Sequence, residues 1–276
     1  MAWHGHLQLT YRSAGDRTVL HDRHEGPLRV LQSLYPEAPT VCHNVLVHPP
    51  GGIAGGDVLA IDAVVGAACH AFITTAGATR FYRTAGEAAT QLANVRVESG
   101  ARLEWLPLET IAFNGCLAEN RLAFHLEAGA EMMGWDVLAL GLPASSQPFE
   151  RGRFTQSIEL PGRWLERGTL DAADRRLLDS PLGLAGRRVV GTLWFAAGHA
   201  LADERRSGLL EAARDAVRQH GLRQTAGVTS PHAEVVVVRV LATTVEPAIE
   251  LLTAVWRAWR RCAWELTATP PRVWRT

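Results

Sequence analysis

Lysine is absent from this 276-residue sequence, so all 28 basic residues are arginines. That excludes a Schiff-base lysine and a P-loop lysine together. Any phosphate or carboxylate contact must then be guanidinium chemistry. Long apolar runs are missing too, and nothing reaches the about 18 residues a membrane-spanning helix needs. The start, Met1-Ala2-Trp3-His4-Gly5-His6, has no basic stretch leading into a greasy one, so no signal peptide is expected. Cysteine is sparse: Cys42, Cys69, Cys116 and Cys262 are scattered, without CxxC or zinc spacing. A reduced, cytoplasmic setting fits best. Net charge is also absent, with 28 basic residues against 28 acidic. The balance is uneven along the chain: residues 1–150 hold nine arginines and 15 acids, the remainder 19 and 13. Such a division can steer a charged partner, but it is not the basic excess of a nucleic-acid binder. Neither nucleic acid nor a membrane is an expected partner.

What the chain does have is alternation. The composition, 47% hydrophobic and 20% charged, is that of a globular protein. His6-Leu7-Gln8-Leu9-Thr10-Tyr11-Arg12 alternates at period two. Similar runs recur near 43–48, 57–65, 69–75, 91–98, 101–106, 120–126, 131–140, 153–160, 163–170 and 188–196. Short strands at this spacing, with turn residues between, predict a mainly β fold of many strands in stacked or sandwich-like sheets. Gly66-Ala67, Gly100-Ala101 and Gly129-Ala130 each separate one run from the next. Their unequal intervals favour repeated hairpins over a solenoid. The last third changes period. Residues 201–220 place Leu209, Leu210, Ala213 and Val217 at helical spacing, 233–242 form an apolar strand, and 246–266 read as a second helix. The expected organisation is one domain over residues 1–276. Its β body spans 1–200, and 201–276 form a helix–strand–helix appendage packed on it, with about two α-helices.

Few residues advertise chemistry. His48-Pro49-Pro50-Gly51-Gly52-Ile53-Ala54-Gly55-Gly56-Asp57 is glycine-rich but lacks the GK[ST] ending and a following helix, so it reads as a tight turn that brings backbone close to Asp57. Asp136 stands alone in the apolar run Met132-Met133-Gly134-Trp135-Asp136-Val137-Leu138. A buried unpaired carboxylate costs several kcal/mol, so it calls for an arginine, a metal or a wet cavity. Glu109 and Glu166 repeat the theme. The eleven histidines form no metal cage; His4-x-His6 and His21-x-x-His24 read as solvated. No G-x-S-x-G elbow or Cys–His signature occurs. Trp256, Trp259 and Arg260 belong to a tryptophan- and arginine-rich helix that either faces the core or anchors a protein interface, the second assigning them to partner binding.

These residues, in order, resemble one family. Gly26-Pro27-Leu28, Tyr35-Pro36-Glu37, the glycine-rich run 48–57, Gly77-Ala78-Thr79-Arg80-Phe81-Tyr82-Arg83, Glu104-Trp105-Leu106-Pro107, Gly134-Trp135-Asp136, the segment 164–167 and Pro271-Arg272-Val273-Trp274 all match the urease accessory protein D family (UreD, called UreH in some organisms). The resemblance implies a mostly β fold of unusual topology with two helices, and a non-catalytic role. It implies binding to apo-urease and directly to UreF, with UreG joined through UreF, in a heteromeric assembly that delivers nickel and supports carbamylation of the urease lysine. No tightly bound cofactor is implied, only nickel in transit along a water-filled route. Asp57, Thr79, Asp136 and Glu166 match polar positions attributed to that route, and Glu109 matches an acidic position in the Leu-Pro-x-acid motif. Sparse oxygen donors suit a conduit that must not trap its ion. Leu142 and Gln147 lack charges usual in the family, and Ala76 replaces its customary proline. A competing reading is a β-rich carbohydrate-active enzyme using two of Asp57, Glu109, Asp136 and Glu166 as an acid/base pair about 5–10 Å apart in an open cleft.

Overall fold

Strand β1 (His4–Ala14) shows how alternation is cashed in: Gly5, Leu7, Leu9 and Tyr11 are buried while the residues between them are exposed or half-exposed. The computed structural model describes residues 2–84, 86–142, 145 and 147–275. Met1, and Pro143, Ala144 and Ser146 of the segment that departs from the family pattern, lie outside the described residues. One sheet has the order β15 (Trp164–Asp171), β14 (Arg153–Leu160), β11 (Leu117–Leu126), β8 (Ala89–Val97), β5 (Val58–Val65), β1, β2 (Arg17–Glu25). The other has the order β17 (Ala226–His232), β18 (Val235–Ala242), β16 (Val189–Ala197), β12 (Glu131–Leu142), β9 (Arg102–Trp105), β6 (His70–Thr75), β4 (Val41–Val47), β3 (Arg29–Val30). Beside β12, β10 (Thr110–Ala112) joins it to β7 (Thr79–Phe81), and β13 (Gln147–Pro148) pairs with its end, setting Leu142 opposite Gln147.

The pairing corrects the hairpin expectation. Strands β1, β5, β8, β11 and β14 are mutually parallel, as are β4, β6, β9 and β12. Each coil leaves a strand in the first sheet and crosses to the second, so the chain winds as a two-sheet solenoid. Antiparallel pairing is found toward the ends, as in β1–β2 and β14–β15. The three Gly-Ala pairs sit at the crossings from β5 to β6, β8 to β9 and β11 to β12. Gly100 and Gly129 adopt φ of +70° and +82° there, a left-handed bend that glycine enters without a Cβ penalty.

Three layers result. Between the sheets, Leu7, Leu9, Tyr11 and Phe124 meet Ile73, Leu103, Met132 and Trp194. On the far face of the second sheet, Phe72, Met133, Trp135 and Phe195 pack under α2 (Asp203–Arg218) and α3 (Val245–Trp264). A one-turn helix, α1 (Arg175–Asp179), follows β15. Strand β12, buried along nearly its whole length, divides by parity: Met132, Leu138 and Leu140 face the other sheet while Met133, Trp135 and Val137 face the helices. Gly134 has the first parity and lacks a side chain there because Trp194 lies across it; an added Cβ would sit 2.3 Å from Cζ2 of that indole. Asp136 shares this parity, which points its carboxyl into the layer between the sheets.

Candidate functional site

Two cavities open in that layer, and Asp136 lines both. The first, about 320 Å³, is bounded by the glycine-rich segment (His48, Pro49, Gly51, Gly52, Ile53), by Thr79 and Arg80 of β7, and by Asn120 of β11. The second, about 220 Å³, lies on the other side of Asp136 among Gln156, Glu166, Thr169 and Thr192, with Leu177 and Leu184 closing it. The parallel stack explains the meeting. Asn120 on β11 pairs in register with Gln156 on β14 and Gln91 on β8, so neutral polar side chains from adjacent coils line up opposite β12.

Asp136 is 7% exposed, and its carboxylate has no guanidinium partner among the described residues; Asn120 Nδ2 lies 3.5 Å from Oδ1 and the Gln156 amide faces it. Burial pushes its carboxyl up to about 6; the facing Gln156 amide draws part of that back, and the negative charge of Glu166 adds to the rise. His48 Nε2, Trp105 Nε1 and both amide atoms of Gln156 are buried with no hydrogen-bond partner among the described residues. All three side chains line one of the two cavities. Spaces of this size beside buried polar atoms have room for water.

The other residues singled out from sequence fall in different places. Thr79 lines the first cavity and Glu166 the second. Glu166 accepts from Thr192 Oγ1 at 3.0 Å and from Arg239 Nε at 2.8 Å, a half-exposed ion pair of small energetic weight. Asp57 is absent from both sets of lining residues. Its two oxygens accept from the backbone N–H groups of Trp3 (2.8 Å) and Ala54 (2.9 Å), which pins the glycine-rich turn to the first strand. Glu109 lines neither cavity; its carbonyl accepts from Thr79 N–H at 2.9 Å and so helps place that residue. Sequence reasoning missed His48, Asn120 and Gln156. Their signal was present in part, since a histidine opens the glycine-rich motif, but a neutral amide in an alternating strand looks like any solvent-facing residue.

The interface assignment of Trp256, Trp259 and Arg260 is corrected: all three have 0% exposure. Trp256 Nε1 donates to Glu104, and Trp259 Nε1 to the Leu209 carbonyl at 2.8 Å. Arg260 donates to Glu37 Oε2 at 2.8 Å and the Thr267 carbonyl at 2.7 Å, and its Nε lies 3.4 Å from Glu104 Oε2. His43 and His70 complete this buried network, each 2.8 Å from Glu37 and Glu104 respectively. The helix faces the core, and its tryptophans and central arginine bind it to the second sheet. Among the described residues, large apolar side chains that do reach solvent are Trp3, Leu31, Leu34, Leu165 and Leu182.

Among the described residues, no group of three or more His, Cys, Asp or Glu is placed to hold a metal ion, and no helix is long and apolar enough to cross a membrane. Comparison with known proteins is unambiguous. The family model described as UreD urease accessory protein matches residues 4–275. The chain is 59% identical to the urease accessory protein UreD of Variovorax paradoxus (strain S110) over 276 residues, covering all of both chains. It is 60% identical to the UreD of Leptothrix cholodnii over 278 residues, again with full coverage of both. Against the UreD of Methylibium petroleiphilum, identity is 54% over 297 residues with both chains fully covered. With a family match over nearly the whole length and relatives this similar from end to end, the chain belongs to the UreD urease accessory protein family.

Proposed function

We propose that this chain is a urease-maturation scaffold and nickel conduit of the cytoplasm. In this reading it binds apo-urease and UreF, reaches UreG through UreF, and passes Ni²⁺ toward urease by way of the two cavities that meet at Asp136. The single observation that carries the reading is that one buried carboxylate, without an arginine partner among the described residues, lines both cavities. At pH 7 most Asp136 side chains are ionised, since the carboxyl titrates at about 6. A lone anion with amide neighbours attracts a hydrated divalent ion yet offers too few ligands to hold it. Glu166 beyond it keeps one oxygen on Arg239, which tempers its charge in the same way. Exposed Leu182 follows α1 on the loop whose Leu184 walls the second cavity, which favours a partner docking at that end.

The glycosidase reading is the weaker one, since of its four carboxylates only Asp136 and Glu166 share a cavity. Asp57 is spent on backbone amides, Glu109 lines neither cavity, and Glu166 is held by Arg239 and Thr192. The test is Asp136→Ala co-expressed with urease and the other accessory proteins. Assembly with UreF should persist while the nickel content of purified urease falls severalfold. Normal nickel loading by metal analysis would sink the conduit.

A further inference from the structure

The donors that line the two cavities are nearly all oxygen or amide: Thr79, Asn120 and Asp136 in the first, Gln156, Glu166 and Thr192 in the second. Such hard ligands serve Mg²⁺, Ca²⁺ and Mn²⁺ as readily as a later transition metal. A passage made only of them would fill with whichever divalent ion is most abundant. His48 breaks the pattern. Among the described residues lining either cavity it is the single histidine, and no cysteine accompanies it. Its Nε2 is buried and has no hydrogen-bond partner among the described residues. Burial holds the ring below the usual histidine range, with nearby Asp57 partly opposing, so the imidazole is neutral at pH 7 and can offer a lone pair at Nε2.

We propose that His48 Nε2 is the nitrogen donor by which the first cavity selects Ni²⁺ over Mg²⁺; the inference rests on the cavity route proposed above. Imidazole is a good ligand for nickel and a poor one for magnesium, which dehydrates reluctantly and keeps oxygen neighbours. One water on the entering nickel ion is exchanged for the ring nitrogen, and no proton is released because the ring is already neutral. With a single nitrogen donor the ion stays exchangeable and moves on to Asp136. Asp57 keeps the glycine-rich turn fixed and adds a negative potential beside the ring. Arg80, exposed at the same cavity, opposes any cation that finds no donor there.

The experiment measures activation of apo-urease bound to the complete accessory complex, titrated with Ni²⁺ in the absence and presence of excess Mg²⁺. With the native chain, magnesium should leave the half-activating nickel concentration nearly unchanged. With His48→Asn it should rise about tenfold or more, the scale of losses seen when a metal site is weakened. An Asn variant as indifferent to magnesium as the native chain overturns the inference. Asp136→Asn is run in parallel. If it activates urease normally the conduit itself is refuted, whereas failure of Asp136→Asn with an unaltered His48→Asn refutes only the selectivity role. Should His48→Asn not assemble, crystals of the native complex soaked in Ni²⁺ with excess Mg²⁺ decide the matter. Anomalous density at bonding distance from His48 Nε2 supports the inference, and its absence there overturns it.

Discussion

Asp136→Asn should stabilise the protein, and only where the carboxyl would be charged. The native carboxyl titrates at about 6 against an ordinary value of 3.8, chiefly because burial disfavours its anion. A raised folded-state value means the contribution to stability is full below the unfolded value and is lost as pH rises through about 6. At pH 8 the penalty amounts to about 3 kcal/mol; it falls to roughly half of that at pH 5 and below about 1 kcal/mol at pH 4. Asparagine has the same shape and cannot ionise, so it escapes the penalty. Thermal unfolding of the two proteins side by side should place the variant about 5 °C or more higher at pH 8, with the gap closing toward pH 4. A gap of constant size across that range, or a less stable variant at pH 8, would show that the Asp136 anion is already compensated in the folded protein, by a partner or by water. The same substitution is expected to impair nickel delivery, so a gain in stability would accompany a loss of function.

Two further outcomes follow from the same geometry. Glu166→Gln removes a negative charge that raises Asp136, so the pH at which the Asp136 carboxyl titrates, followed by carbon NMR of labelled aspartate, should fall below its native position. An unchanged midpoint would mean the two carboxylates across the second cavity do not sense each other. Arg260→Met strands Glu37 and Glu104 without their shared cation and should cost about 3–5 kcal/mol in denaturant unfolding. A variant of native stability that fails only to bind partners would restore the interface reading.

The strand positions were readable because a half-buried strand must alternate, and β1, β5 and β11 do so nearly residue by residue. Their pairing was not. Alternation is the same in parallel and antiparallel neighbours, so the Gly-Ala corners could be located without revealing that the chain crosses to a second sheet there instead of turning back. Asp136 was legible because a carboxylate among Met132, Trp135 and Leu138 has to be explained. His48, Asn120 and Gln156 were not, since their significance depends on which coils lie next to each other. Arg260 shows the opposite failure. Its helix was assigned its periodicity correctly, but a fully buried arginine makes sense only beside Glu37, 223 residues earlier in the chain.

That long reach has a bearing on how the molecule is made. Arg260 clamps Glu37, and Trp274, packed against Trp135 and Trp256, donates to Thr74 from 200 residues away. A nascent chain emerging from the ribosome therefore carries its opening coils with an uncovered greasy face until the last helix is released. Prematurely terminated products lack that lid altogether and are the species most exposed to clumping and proteolysis.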